Sequence, residues 1–160
     1  MSVTLETLEP VRASALLSDF KDEELGRLAA SMDLVEFDKD QHLFEQDEAG
    51  DALYIILSGQ VGVIRKILKE QRQKERMLAV VGLGECIGEM ALADEGPRSA
   101  TIVALEPVRA VKLTRDRYEA LRDADPKLAI KMALSLFRLL SKRLRQINKN
   151  LEIVQYWMFA

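Results

Sequence analysis

The sequence predicts a mainly β fold with flanking helices: a barrel or double-sheet roll of short strands, N-terminal helices before it and a long C-terminal helix after it. Three observations carry this. Between Leu34 and Leu113 apolar residues fall in seven short β-rich runs broken by Asp, Gly and Ser turns. On either side the apolar period changes to that of a helix. A chain of 160 residues, 48% apolar and 31% charged, is the size and composition of one domain with a buried core.

In chain order, Glu9-Pro10-Val11 to Leu17 reads as a short helix opened by proline, and Asp22 to Met32 as a second with acids at the end the helix dipole favours. These are the N-terminal helices, residues 9–32. The β region, residues 33–113, holds runs at Leu34–Phe37, Gln41–Phe44, Leu53–Leu57, Gln60–Leu68, Met77–Val81, Ser99–Leu105 and Val108–Leu113. His42 reads as an exposed strand residue, and the charged stretch Lys69 to Arg76 as a solvated hairpin tip. The C-terminal helices, residues 114–155, begin where Thr114 can cap a helix running to about Arg122.

Asp125-Pro126 then starts the longest helical pattern, with Asp as cap and Pro at the first helical position. Apolar residues at Ile130, Ala133, Phe137, Leu140, Leu144, Ile147, Leu151 and Val154 alternate steps of three and four, the period of a coiled-coil seam. Lys131, Arg138, Arg145, Lys142 and Lys149 point away from that seam. Leu134, Leu136, Ser141, Asn148 and Asn150 flank it without charge, leaving Arg143 as the flanking cation. Such a helix can be a homodimer seam, can fold back on its own barrel, or can offer a basic face to nucleic acid or an anionic membrane. Period and length favour the homodimer, because a small barrel is too short to cover the whole seam.

Composition excludes several classes. No apolar run approaches a membrane span, and the N-terminus lacks a secretory pattern, so a cytoplasmic protein without a membrane partner is expected. The single cysteine, Cys86, rules out an internal disulfide framework and reads as a small apolar filler. One histidine leaves no ligand set for a metal. The net charge of −3 hides an asymmetry: Lys127 to Asn150 contains seven basic and no acidic residues, so the rest of the chain is strongly acidic. No paired carboxylates and no Gly-rich Lys-Ser/Thr loop suggest catalysis, and no enzyme is expected.

The chemistry concentrates in residues 84–101. Gly88 lets the backbone approach a ligand and turn into a short apolar helix, Met90 to Ala93, whose first amides lack intrahelical partners and favour an anion. Arg98 brings a guanidinium able to grip two phosphate oxygens. Glu89 is acceptor-only, suited to a sugar hydroxyl and not to a phosphate. Together they describe a site for a phosphorylated ribose.

Gly88-Glu89-Met90-Ala91-Leu92, a short turn, then Pro97-Arg98-Ser99-Ala100-Thr101 resembles the phosphate-binding cassette of the cyclic nucleotide-binding domain family, Gly-Glu-x-Ala-Leu and Pro-Arg-x-Ala-Thr. Gly50-Asp51-x-Leu53-Tyr54-Ile55-Ile56-x-x-Gly59 and Gly84 match the family's glycine-punctuated strands, and the resemblance extends from about Phe20 to Asn150. It is similar to the catabolite activator protein and protein kinase A regulatory-subunit kind, as a stand-alone bacterial member. The resemblance implies an eight-stranded β jelly-roll barrel that binds a cyclic nucleotide through Gly88, Glu89, Met90, Ala91, Leu92, Arg98, Ser99 and Ala100, and that repositions the long helix. Ser99 stands where kinase branches place Ala in cAMP binders and Thr in cGMP binders. The Arg-Ser-Ala form resembles bacterial cAMP binders, so cAMP is the expected ligand and cGMP the alternative. In the transcription-factor branch, which dimerises through the equivalent helix, polar residues at the distance of Arg143 reach over the purine; a solvated arginine is the plainer role. DNA binding is not expected, since only about ten residues follow Asn150 where that branch carries a helix-turn-helix. An interaction protein with a ligand-free pocket is the remaining alternative, against which Glu89 and Arg98 speak. The downstream protein partner is not legible in the sequence.

Overall fold

A computed structural model describes residues 3–69 and 72–159. Eight strands form two antiparallel four-stranded sheets: β1 (Asp33–Phe37), β8 (Val108–Thr114), β3 (Ala52–Ser58) and β6 (Cys86–Ile87) in one, and β2 (His42–Phe44), β7 (Thr101–Ala104), β4 (Val61–Lys69) and β5 (Arg72–Val81) in the other. The continuous apolar run of β3 has a direct cause, since a strand buried on both faces cannot alternate polar and apolar residues. Its Ala52, Tyr54 and Ile56 enter a core with Val61, Ile102 and Ala110. Its Leu53, Ile55 and Leu57 enter a second core with Leu8, Leu17, Leu25 and Met132 of the helical cover. The layers are therefore helices, sheet, sheet.

The cover contains α1 (Leu5–Leu8), α2 (Asp22–Ala30), α3 (Arg115–Ala124) and α4 (Pro126–Phe159). Thr114 accepts a hydrogen bond from the Arg117 amide, and Asp125 one from the Leu128 amide, so both caps read from the sequence are made. The helix expected from Glu9 to Leu17 is instead a 3-10 turn, Glu9–Val11, followed by further turns. Bonds from the Ser14 amide to the Val11 carbonyl and from Leu17 to Ser14 tighten this stretch to a three-residue repeat, which lets Val11, Leu16 and Leu17 all reach the core. The charged stretch is the end of the β4–β5 hairpin, and the ladder reaches further into it than the sequence reading allowed. Lys69 and Arg72–Arg76 are ladder residues in which Arg65 faces Arg76 and Lys66 faces Glu75, while Glu70 and Gln71 lie outside the described residues.

Helix α4 carries two apolar faces where the sequence reading emphasised one. Leu128, Ala129, Met132, Ser135 and Leu136 are buried against the domain, so Leu136 is core and not a seam flank. The heptad positions Ile130, Phe137, Leu144, Ile147 and Leu151 remain 54–68% exposed; the Val154 side chain lies outside the described residues. Among the described residues no helix is long and apolar enough to cross a membrane.

The basic face of α4 also meets the acidic body. Lys131 donates to Glu24 at 2.6 Å and Arg138 to Asp19 at 2.9 Å. The Lys131 hydrogen bond holds the Glu24 carboxyl below its ordinary value, so this contribution is full above the unfolded-state value and is lost as pH falls through the folded one. Glu24→Gln should lower the melting temperature at neutral pH, with the difference from wild type closing on acidification below the usual carboxylate range. A difference constant across that acid range in thermal melts would refute the assignment.

Candidate functional site

Two glycines make room for one arginine. Gly88 has φ +72°, and a Cβ there would lie 2.6 Å from Arg98 Nη1 and 2.9 Å from the Ala52 carbonyl. At Gly50 a Cβ would crowd the Arg98 stem, 3.2 Å from Nε. Arg98 itself is fixed by its main chain: its amide donates to the Glu48 carbonyl at 2.8 Å and its carbonyl accepts from the Asp47 amide at 2.9 Å.

The Arg98 side chain is only 6% exposed. Its guanidinium lies 4.0 Å above the Phe44 ring centroid, and Nη1 donates to the Ala52 carbonyl at 2.8 Å and more weakly to Gly88 at 3.4 Å. Nη2 stands 3.7 Å from the Asp51 carboxylate, which is itself well exposed. Nε is buried without a partner among the described residues. Burial pushes the Arg98 pKa down, opposed by Asp51 and Glu48 among its neighbours. A buried ion costs several kcal/mol, which a cation–π contact of ~2 kcal/mol and a hydrogen bond of ~1.5–3 kcal/mol offset incompletely. The Nε edge is left with a donor to satisfy.

Beside it, Gly88 opens a 3-10 turn at Glu89–Leu92, one residue earlier than the sequence reading placed it. The first intrahelical bond runs from the Ala91 amide to Gly88, so the amides of Glu89 and Met90 precede the bonded turn. Ala91 is buried, Leu92 packs against the outer core, and Met90 is exposed. Ser99 is exposed and Ala100 buried.

Glu89 Oε1 accepts from Arg143 Nη1 at 2.7 Å, and Arg143 Nη2 donates to the Cys86 carbonyl at 2.6 Å. The structure thus brings Arg143 to the cassette as the ion partner of Glu89. Cys86 is a buried free thiol whose pKa is pushed up to about 12 by burial and then by Glu89, so its thiol is inert filler. His42 is exposed on β2 and its Nδ1 lies 3.2 Å from Glu45. Among the described residues no cluster of three His, Cys, Asp or Glu side chains is placed to hold a metal.

Sequence reasoning missed two residues. Phe44 is the shelf under Arg98, and no local pattern separates it from other strand aromatics. Arg115 donates to the Ala91 carbonyl from Nε at 2.9 Å and from Nη2 at 2.7 Å, with Nη2 also within 2.8 Å of the Gly50 carbonyl and 2.5 Å of the Asp94 carbonyl. It clamps the far end of the turn to the loop before β3. Its only sequence signal is its place beside the Thr114 cap.

A model of the cyclic nucleotide-binding domain matches residues 34–125. The Cyclic AMP receptor protein of Thermus thermophilus is 40% identical over 114 residues, 71% of this chain and 50% of that protein. A crystal structure of a cyclic nucleotide-binding domain from Methylobacillus flagellatus superposes with a TM-score of 0.78 at 36% identity, covering 89% of this chain and 79% of that one. The regulatory domain of Toxoplasma gondii PKA, crystallised with cAMP, gives 0.62 at 30% identity, covering 77% and 46%. This chain spans about half the length of the Thermus relative.

Arg115→Met leaves the Ala91, Gly50 and Asp94 carbonyls without their clamp. Charge-assisted bonds of ~1.5–3 kcal/mol each, discounted for partial exposure, put the expected loss at about 2–4 kcal/mol. Urea unfolding measures it, and a loss under about 0.5 kcal/mol, the scatter of neutral surface changes, would remove Arg115 from the site's support.

Proposed function

The chain belongs to the cyclic nucleotide-binding domain family, and we propose on that premise that it is a regulatory module that binds cAMP and reports occupancy through its long C-terminal helix. The single observation that carries this reading is the Arg98 guanidinium, buried and with an unpartnered Nε, beside the amides of Glu89 and Met90. The cyclic phosphate takes the Nε–Nη2 edge of Arg98 and those amides. The ribose 2′-hydroxyl donates to Glu89, whose Oε1 is held by Arg143. Because Arg143 comes from α4, any shift of Glu89 on binding is felt by that helix. Names of relatives, a cyclic AMP receptor protein and a PKA regulatory domain crystallised with cAMP, favour cAMP over cGMP.

We read the sheet orders β1-β8-β3-β6 and β2-β7-β4-β5 as an eight-stranded jelly-roll barrel, with residues 1–160 as one domain. We further propose a homodimer joined along α4. Its 34 residues span about 51 Å, and its exposed apolar stripe needs a cover of equal length, which a second copy supplies.

Calorimetric titration with cAMP tests the site. Arg98→Ala should weaken binding by roughly two to three orders of magnitude, the value of a desolvated charge-assisted pair, with the far-UV spectrum unchanged. An affinity within about threefold of wild type would sink the assignment. If cGMP bound about tenfold tighter than cAMP in the same cell, the base choice would be wrong.

Light scattering tests the dimer. The expected mass is near twice 18.1 kDa, and Leu140→Glu with Leu144→Glu should halve it. A wild-type chain monomeric at high micromolar concentration, with and without cAMP, overturns the dimer.

A further inference from the structure

A groove of about 540 Å³ lies away from the cassette pocket, between the N-terminal turns at Pro10–Leu16, the loop at Leu83–Cys86, and the α4 face bearing Leu139, Lys142, Arg143 and Gln146. Neither Gly88–Leu92 nor Arg98–Ala100 lines it; Arg143 alone belongs to both places. The volume is that of a small-molecule site.

Its lining combines an apolar body with a cationic rim. Leu83 and the half-buried Leu139 supply the apolar surface over the buried Val11 and Leu16, and Leu83 is 60% exposed, uncovered by the rest of the chain. Lys142, Arg143 and Gln146 fall on one side of α4 at spacings that place them side by side. Lys131, Arg138 and Arg143 each have an acid partner, whereas Lys142 has none among the described residues. Of the two cations that line the groove, Arg143 is paired with Glu89 and Lys142 is the one without an acid partner among the described residues.

Two carboxylates stand nearby, and both are engaged. Glu85 Oε2 accepts from the Gly82 amide at 2.8 Å within its own loop, and Glu89 Oε1 holds Arg143. The floor is closed by Gly84, at φ +77°, where a Cβ would stand 3.1 Å from that of Ser14. Next to this contact the Ser14 hydroxyl is sealed off without a hydrogen-bond partner.

We propose that this groove is a second binding site, for a small amphipathic carboxylate whose anionic head meets Lys142 and whose apolar body lies against Leu83 and Leu139. Charge complementarity with Lys142 selects an anion for the rim, and the uncovered Leu83 beside Leu139 selects an apolar body over a hydrophilic ion. An occupant there touches the N-terminal turns, the loop before the cassette and α4 together, and so adds to the contacts that keep α4 docked.

Decanoate is the probe, titrated into the full, nucleotide-free chain and followed by methyl NMR; cAMP is absent, so the outcome is independent of the cassette. Saturable shifts at submillimolar probe are expected for Val11, Leu16, Leu83 and Leu139. Lys142→Glu, a change at an exposed position, should weaken binding by about tenfold, and 1-decanol should bind the wild type weaker by a similar factor, as loss of one charge-assisted bond requires. Ala13→Phe, filling the groove from another exposed position, should abolish the shifts while leaving the rest of the spectrum in place. No saturation at millimolar decanoate, equal binding of decanol, or shifts confined to Leu144, Ile147 and Leu151 of the exposed stripe would each overturn the proposal.

Discussion

The burial of the Arg98 guanidinium is the constraint on which the rest of the site depends. A cation 6% exposed, with its nearest carboxylate 3.7 Å away, needs packing that few sequences tolerate. Gly88 must lack a side chain so that Nη1 can reach the Ala52 carbonyl, and Gly50 so that the stem can pass. Phe44 must present its face, which fixes the pairing of β2 with β7, where Phe44 lies opposite Ile102. Strand β3 then has to deliver Ala52 at its start while burying both faces along its length, which accounts for its unbroken apolar run. One charge thus links the turn, two loops and both sheets.

The second organising effect is the division of charge. A basic helix and an acidic body are halves of one docking surface, joined by Lys131 with Glu24, Arg138 with Asp19 and Arg143 with Glu89. These pairs are not equal. The Arg138–Asp19 pair is largely exposed and is worth little, whereas Glu89 is only 12% exposed and its pair with Arg143 is correspondingly less screened. Apolar burial of Leu128, Met132 and Leu136 holds the helix in place, and the charges set its rotation.

What the sequence made legible was chemistry written in fixed local order. Gly88-Glu89 before a short apolar turn, Arg98 beyond it, and Asp125-Pro126 at a helix start each act through neighbours in the chain, so spacing alone located them. Contacts across the fold were not legible. Arg115 reaches Ala91 from 24 residues away, and Phe44 is chosen by a sheet register that no local pattern encodes. The charged stretch after Leu68 was legible as a hairpin end but not in its extent, because a cross-strand ladder carries the β4 and β5 pairing out to Lys69 and Arg72 despite low strand propensity. Pro10 misled because a proline-opened helix and a 3-10 turn begin alike; burial of both Leu16 and Leu17 decides between them.

Three arginines hold the cassette, each from a different element, and their chemistry assigns them different tasks. Arg115, at the start of α3, is spent on main-chain carbonyls at the end of the turn and can gain nothing from a ligand there. Arg143, from α4, is bound to a carboxylate and a carbonyl, so it responds to movement of Glu89 and Cys86. Among the described residues, Arg98 is the one of these three that keeps a buried N–H without an acceptor. It is therefore the one with a donor still to satisfy, and a chain of charged contacts runs from the cassette through Glu89 to Arg143 on the long helix. The three arginines are told apart by their partners, because a guanidinium that is fully paired has no bond left to offer.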